Sequence, residues 1–117
     1  MKKTEMLKKN YEFKNVLSKG KYYSAEIIEA FILKNKKNKN YLGLAISVKL
    51  AKANKRNYIK RILRENYALL EERIEEGNSI VFLLKKKAKI ENIEFYKIKK
   101  DMENIFDRAK ILKEEKI

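Results

Sequence analysis

The chain has no cysteine and no histidine. Disulfides, thiolate nucleophiles, imidazole bases and most zinc sites are therefore excluded. Proline is absent and only three glycines occur, Gly20, Gly43 and Gly77. No proline-rich or glycine/serine-rich linker divides the 117 residues, so residues 1–117 read as one domain. No apolar run approaches the roughly 20 residues a membrane span requires. The start, Met1-Lys2-Lys3-Thr4-Glu5, leads to no apolar signal core, so a cytoplasmic location with no membrane partner is expected. Acids are scarce: 16 face 30 basic residues, a formal net charge of +14. That imbalance favours a dense polyanion, above all nucleic acid.

Basicity alone is ambiguous, because 25 Lys against five Arg is also what a general bias toward lysine produces. The arrangement must decide. Asn10 to Lys19 reads as a first helix, with Asn10 as cap, Glu12 in the first turn and Gly20 closing it in a left-handed conformation. Its apolar positions Phe13, Val16 and Leu17 lie at helical spacing. Tyr22-Tyr23 and Ile27 to Leu33 carry strand signals, and Lys34 to Asn40 is a polar turn. Leu42, Leu44, Ile46 and Val48 alternate with Gly43, Ala45 and Ser47, which predicts a strand with one large and one small face. The small face implies either a closely packed neighbour or an open trough. Lys52 to Glu76 is helical, with Ile59, Ile62, Leu63, Leu70 and Ile74 on one face and Gly77-Asn78 as the stop. Ser79 to Leu84 reads as a buried strand, and a last helix runs from about Ile93 to Lys113. The expectation is an α+β sandwich around a mixed sheet.

The long helix carries the information. From Lys49 to Arg64 there are seven basic residues and no acid, and three of the five arginines fall within nine residues. Arginine presents phosphate with a planar, bidentate fork that lysine lacks. At 100° per residue, Arg56, Asn57, Lys60, Arg61 and Arg64 occupy one arc, opposite the apolar stripe. Helices favour acids in the first turn and bases in the last; here the bases lead and Glu65, Glu71, Glu72, Glu75 and Glu76 follow. Nothing local rewards that order. An external polyanion would, whereas the plain alternative is a solvated basic face.

Ala53-Asn54-Lys55-Arg56-Asn57-Tyr58-Ile59-Lys60-Arg61-Ile62-Leu63-Arg64-Glu65 resembles the Arg-Asn-Arg signature helix of the bacterial ribonuclease P protein subunit. Leu42 to Lys49 is similar to that family's strand leading into the helix, and Leu7-Lys8-Lys9-Asn10 with Phe13 and Gly20 to its first helix. The likeness covers most of the chain in order and spacing. The sequence departs from the pattern at Tyr58, where the second signature arginine stands, and at Ala51, Asn54 and Leu17.

The resemblance implies a two-layer α/β (α+β) sandwich, ordered α-β-β-β-α-β-α around a mixed four-stranded sheet. It also implies a left-handed βαβ crossover, against a rule obeyed in about 98% of cases. It implies a protein that performs no chemistry itself. A ribonuclease P RNA with bound Mg2+ removes the 5′ leader of precursor tRNA, and the protein holds both RNAs. By position, Lys49, Lys52, Arg56, Asn57, Tyr58, Lys60, Arg61 and Arg64 would contact the catalytic RNA, Tyr58 by stacking on a base, while Phe13 and Phe31 would line a leader cleft. From the residues alone Phe13 and Phe31 read first as core. Asp101 and Asp107, six apart on a helix, do not share a face, so a two-metal nuclease site in the protein is not expected. The alternative is a structural RNA-binding protein of ribosomal type. DNA is not an expected partner, since no helix-turn-helix pattern or dimer seam accompanies the basic helix.

Overall fold

The computed structural model describes residues 3–114. In chain order it contains β1 (Thr4–Met6), α1 (Asn10–Lys19), β2 (Lys21–Ser24), β3 (Ile28–Lys34), β4 (Asn40–Ala45), α2 (Ala53–Leu70), β5 (Asn78–Leu84) and α3 (Phe95–Arg108). Short 3-10 turns occupy Glu71–Arg73 and Ile90–Asn92. The strands form one mixed sheet in the order β1-β4-β5-β3-β2, with β1–β4 and β4–β5 parallel and the remaining pairs antiparallel. The sheet thus has five strands, not the four expected. The extra strand, β1, pairs Thr4, Glu5 and Met6 with Asn40, Tyr41 and Leu42. Three residues are too few for an alternation to show in sequence. What holds β1 is tertiary: the Thr4 and Tyr67 hydroxyls are hydrogen-bonded at 2.8 Å.

Alternation along the strands creates two unlike faces. One presents Ile28, Ala30, Ile32, Leu42, Leu44, Ile80, Phe82 and Leu84 to Ile59, Ile62, Leu63, Tyr67 and Leu70 of α2 and Ile98, Met102, Ile105 and Phe106 of α3. This is the sandwich. Within it the Asn66 amide nitrogen donates to the carbonyls of Ile62 and Phe95, both at 3.1 Å. The Asp101 carboxylate accepts the backbone N–H of Ile27 at 2.6 Å and of Ile28 at 3.2 Å. The opposite face is met by α1 and the Leu7 segment before it, where Leu7 and Val16 pack on Val81 of β5 at the centre of a smaller cluster.

Local details correct the sequence reading. Asn10 is the first helical residue and not the cap; the Glu12 carboxylate closes the helix start by accepting the N–H of Lys9 at 2.9 Å. Those backbone donors hold its pKa below the usual carboxylate value. Gly20 is extended, with φ −73° and ψ 156°, not left-handed. It is small for a different reason: a Cβ there would lie 2.5 Å from the Val16 carbonyl oxygen. Strand β4 stops at Ala45, so Ser47 and Val48 fall in the following turn, closed by the Leu50 N–H on Ser47 O at 3.1 Å. Val48 is 72% exposed.

Helix α2 ends six residues early because its continuation is claimed by the C-terminal segment. Glu75 N–H donates to Ile111 O at 2.7 Å, Lys113 N–H donates to Arg73 O at 2.6 Å, and Ile74 bridges Leu112. Helix α3 starts and stops inside its expected bounds; Lys110 at φ 58° turns the chain away.

Candidate nucleic-acid interface

Helix α2 buries Ile59, Ile62, Leu63, Asn66, Tyr67 and Leu70, which forces its other residues outward. Lys52, Asn57, Tyr58, Arg61 and Arg64 are exposed, while Arg56 and Lys60 are half-buried. The eight residues marked in sequence therefore lie on or next to one solvent-facing arc, with Lys49 exposed in the turn before the helix. They are not equivalent. One Arg56 Nη1–H donates to Ala51 O at 2.7 Å, so this arginine also ties down the loop entering the helix, keeping other donors for a ligand. The Arg61 guanidinium lies over the Tyr58 ring, 5.4 Å from its centroid, and its Nε is 3.8 Å from Glu65 Oε1. Tyr58, 43% exposed, thus supports an arginine while keeping part of its ring open to a base.

No acid stands in the first turn of α2 and no side chain caps it. The positive end of the helix dipole therefore coincides with Lys49, Lys52, Lys55 and Arg56. An anion placed there gains from both fields.

The second feature is the open face of the sheet. Register places Gly43 of β4, Val81 of β5, Phe31 of β3 and Tyr22 of β2 in one row on that face. Phe13 reaches down from α1 onto Gly43, where a Cβ would come within 2.6 Å of its ring. The small face of β4 is thus a close-packing surface at Gly43, and only Ala45 beyond it stays partly open; Ser47, outside the strand, takes no part. Phe31 does not lie beside β4, since β5 intervenes. Its ring leans on Tyr22 at 5.1 Å between centroids. Phe13 and Phe31 do join one half-buried cluster with Leu17, Ala45 and Leu83. Ala45 and Leu83 place this half-buried trough toward the carboxyl ends of the parallel strands β4 and β5.

Residues 1–110 match the family model described as Ribonuclease P. The chain belongs to the ribonuclease P protein family. It is similar to the ribonuclease P protein component of Clostridioides difficile, 34% identical over 110 residues that span 93% of this chain and 95% of that one. It is also similar to that of Dictyoglomus turgidum, 33% identical over 111 residues spanning 95% and 93%. Among solved structures, the Staphylococcus aureus RNase P protein superposes with a TM-score of 0.80 at 27% identity, covering 92% of this chain and 96% of that one. The Thermotoga maritima protein gives the same score and identity over 89% and 96%.

Within this family fold, Tyr22, which the sequence marks only as a strand residue, stands 49% exposed at the rim of the trough beside Phe31. The signal is the strand register, which pairs Tyr22 with Phe31 across β2 and β3. Among the described residues no three carboxylates gather in a metal-binding group. No helix of the described residues is long and apolar enough to cross a membrane.

Proposed function

We propose that this chain is the protein subunit of a ribonuclease P holoenzyme that removes the 5′ leader of precursor tRNA. The relatives it matches are named ribonuclease P protein components, and the partner is accordingly a ribonuclease P RNA. One observation carries the reading: an arc of cations on α2 with no acid in its first turn is joined through a single strand, β4, to a half-buried aromatic cluster on the open face. A structured RNA on the arc and an unpaired strand in the trough use the two surfaces differently. The arc neutralises phosphates; the trough stacks bases, each worth ~1–3 kcal/mol. Mg2+ held mainly by the RNA supplies the hydrolytic chemistry, and the residues of this chain bind and orient. Arg56, Asn57, Lys60, Arg61 and Arg64, with Lys49, Lys52 and Tyr58, form the face toward the catalytic RNA. Phe13 and Phe31 hold the leader.

The test is cleavage of a leader-bearing precursor tRNA by a bacterial ribonuclease P RNA at low millimolar Mg2+, with the protein present, absent, or alone. Activity only from the combination is expected. Phe31→Ala is expected to weaken precursor binding and spare mature tRNA; equal weakening of both makes Phe31 a fold residue only. No stimulation of a cognate RNA leaves a basic RNA-binding sandwich of ribosomal type.

A further inference from the structure

Helix α1 divides the open face of the sheet, and its far flank carries a second concavity. With Val16 pointing down, helical geometry sends Phe13 and Leu17 to one side and Tyr11, Glu12 and Asn15 to the other. On that other side lies a cleft of about 580 Å³, whose walls include Tyr11, Asn15, Lys34, Asn35, Lys37 and Tyr41. Its floor is the next row of the sheet, Tyr41–Ser79–Leu33, one step from the row that holds Phe31.

The cleft is basic, aromatic and built on a held loop. Tyr11 is 67% exposed, with Lys9 Nζ 5.7 Å from its ring centroid. Lys37 Nζ stands 5.1 Å from the Tyr41 centroid. The loop presenting Lys37 is pinned by Asn35, whose Oδ1 accepts Lys37 N–H at 2.8 Å and whose Nδ2 donates to Lys39 O at 3.1 Å and Ser79 Oγ at 3.0 Å. The Lys37 carbonyl also packs on Gly77, where a Cβ would come within 3.0 Å. The one carboxylate in the wall, Glu12, is turned to the backbone N–H groups of Lys8 and Lys9. Aromatic faces beside lysines in a groove too small for a duplex suit an unpaired strand, because every base has a face to stack and every linkage a charge.

We propose that this cleft is a second site for single-stranded RNA, separate from the trough of Phe13 and Phe31, stacking a base on Tyr11 or Tyr41 with its phosphates on Lys34 and Lys37. The strand is either the upstream part of a long leader or a separate unpaired RNA; both present the same chemistry.

The test uses the full chain and a fluorescein-labelled pentauridylate, followed by anisotropy in the Phe31→Ala background, where the first trough is weakened. Tyr11→Ala is expected to weaken binding about fivefold or more, and Lys37→Ala to make the log–log salt slope shallower by about 0.7. A hairpin RNA without an unpaired tail should bind Tyr11→Ala as it binds the parent. Unchanged pentauridylate affinity in both variants, or an equal loss for the hairpin, overturns the proposal. In the holoenzyme, precursors with short and long leaders then separate the sources. A loss confined to the long leader assigns the cleft to that leader, and no loss with either assigns it to a separate strand. Failure of the wild-type protein to stimulate cleavage would sink the holoenzyme reading and leave the pentauridylate result standing.

Discussion

The two faces of the sheet are made by alternate residues of the same strands and end in opposite conditions. On one, Ile28, Leu42, Ile80 and Phe82 are withdrawn completely from water beneath α2 and α3. On the other, Phe31, Leu33, Tyr41 and Leu83 remain half-buried around α1. Size explains the difference. A helix of ten residues is about 15 Å long, whereas five strands spaced by about 4.8 Å make a sheet wider than any single helix. Helix α1 therefore covers a stripe and leaves a flank open on each side. The closed face holds most of the fully buried core, and the proposed leader trough and second cleft lie on the face that one helix leaves open.

That contrast is broken first on the closed face. Phe106, fully buried against Tyr67 and Phe82, is its keystone. Phe106→Ala is expected to destabilise by about 3–5 kcal/mol in urea unfolding; a loss under 1 kcal/mol would mean the closed face is not where stability lies. Next comes Tyr67, whose pKa burial pushes up to about 12. The unfolded chain ionises its tyrosines near 10, so the stability tied to neutral Tyr67 is complete below about pH 10. It is lost as pH rises toward 12, up to about 2–3 kcal/mol. Tyr67→Phe should remove this part of the alkaline transition, at the loss of the Thr4 bond, and an unchanged profile would refute the assignment.

The open face should respond differently. Gly43→Ala pushes a methyl into the Phe13 ring and is expected to cost about 1–3 kcal/mol, while also weakening precursor binding because Phe13 must move. Wild-type thermal stability and wild-type binding together would show that the contact at Gly43 is slack. The smallest stability effect is expected away from both faces, on the outer side of α2: Arg61→Ala should stay within about 0.5 kcal/mol, because both Arg61 and Glu65 are exposed. Its affinity for the catalytic RNA should nonetheless fall about tenfold or more in filter binding. If its stability falls as far as that of Phe106→Ala, Arg61 supports the fold and the arc on α2 is not a free binding surface.

Much of the interface was legible because helices display their neighbours in sequence. The arc from Arg56 to Arg64 follows from spacing alone, and the apolar stripe on its other side agrees with the burial of Ile59, Ile62 and Leu63. The trough was legible only in part. Phe13 and Phe31 could be marked, yet Tyr22 and the intervening Val81 depend on strand order, which composition does not encode.

The chain order of elements from α1 to α3, the composition of the basic arc and the absence of thiol and imidazole chemistry were decided by the sequence, since each rests on residues near one another or on a count. Tertiary structure decided the rest. Only pairing with Asn40–Leu42 makes Thr4–Met6 a strand, and only the seat of α1 across the sheet separates Phe31 from Tyr41. Gly43 is required by the Phe13 ring, and Gly20 by the Val16 carbonyl of the preceding helix with the Ile32 backbone behind it, not by their own conformations. Long-range packing selects among the options that local preference leaves open, and on this sheet it selected which face would stay open.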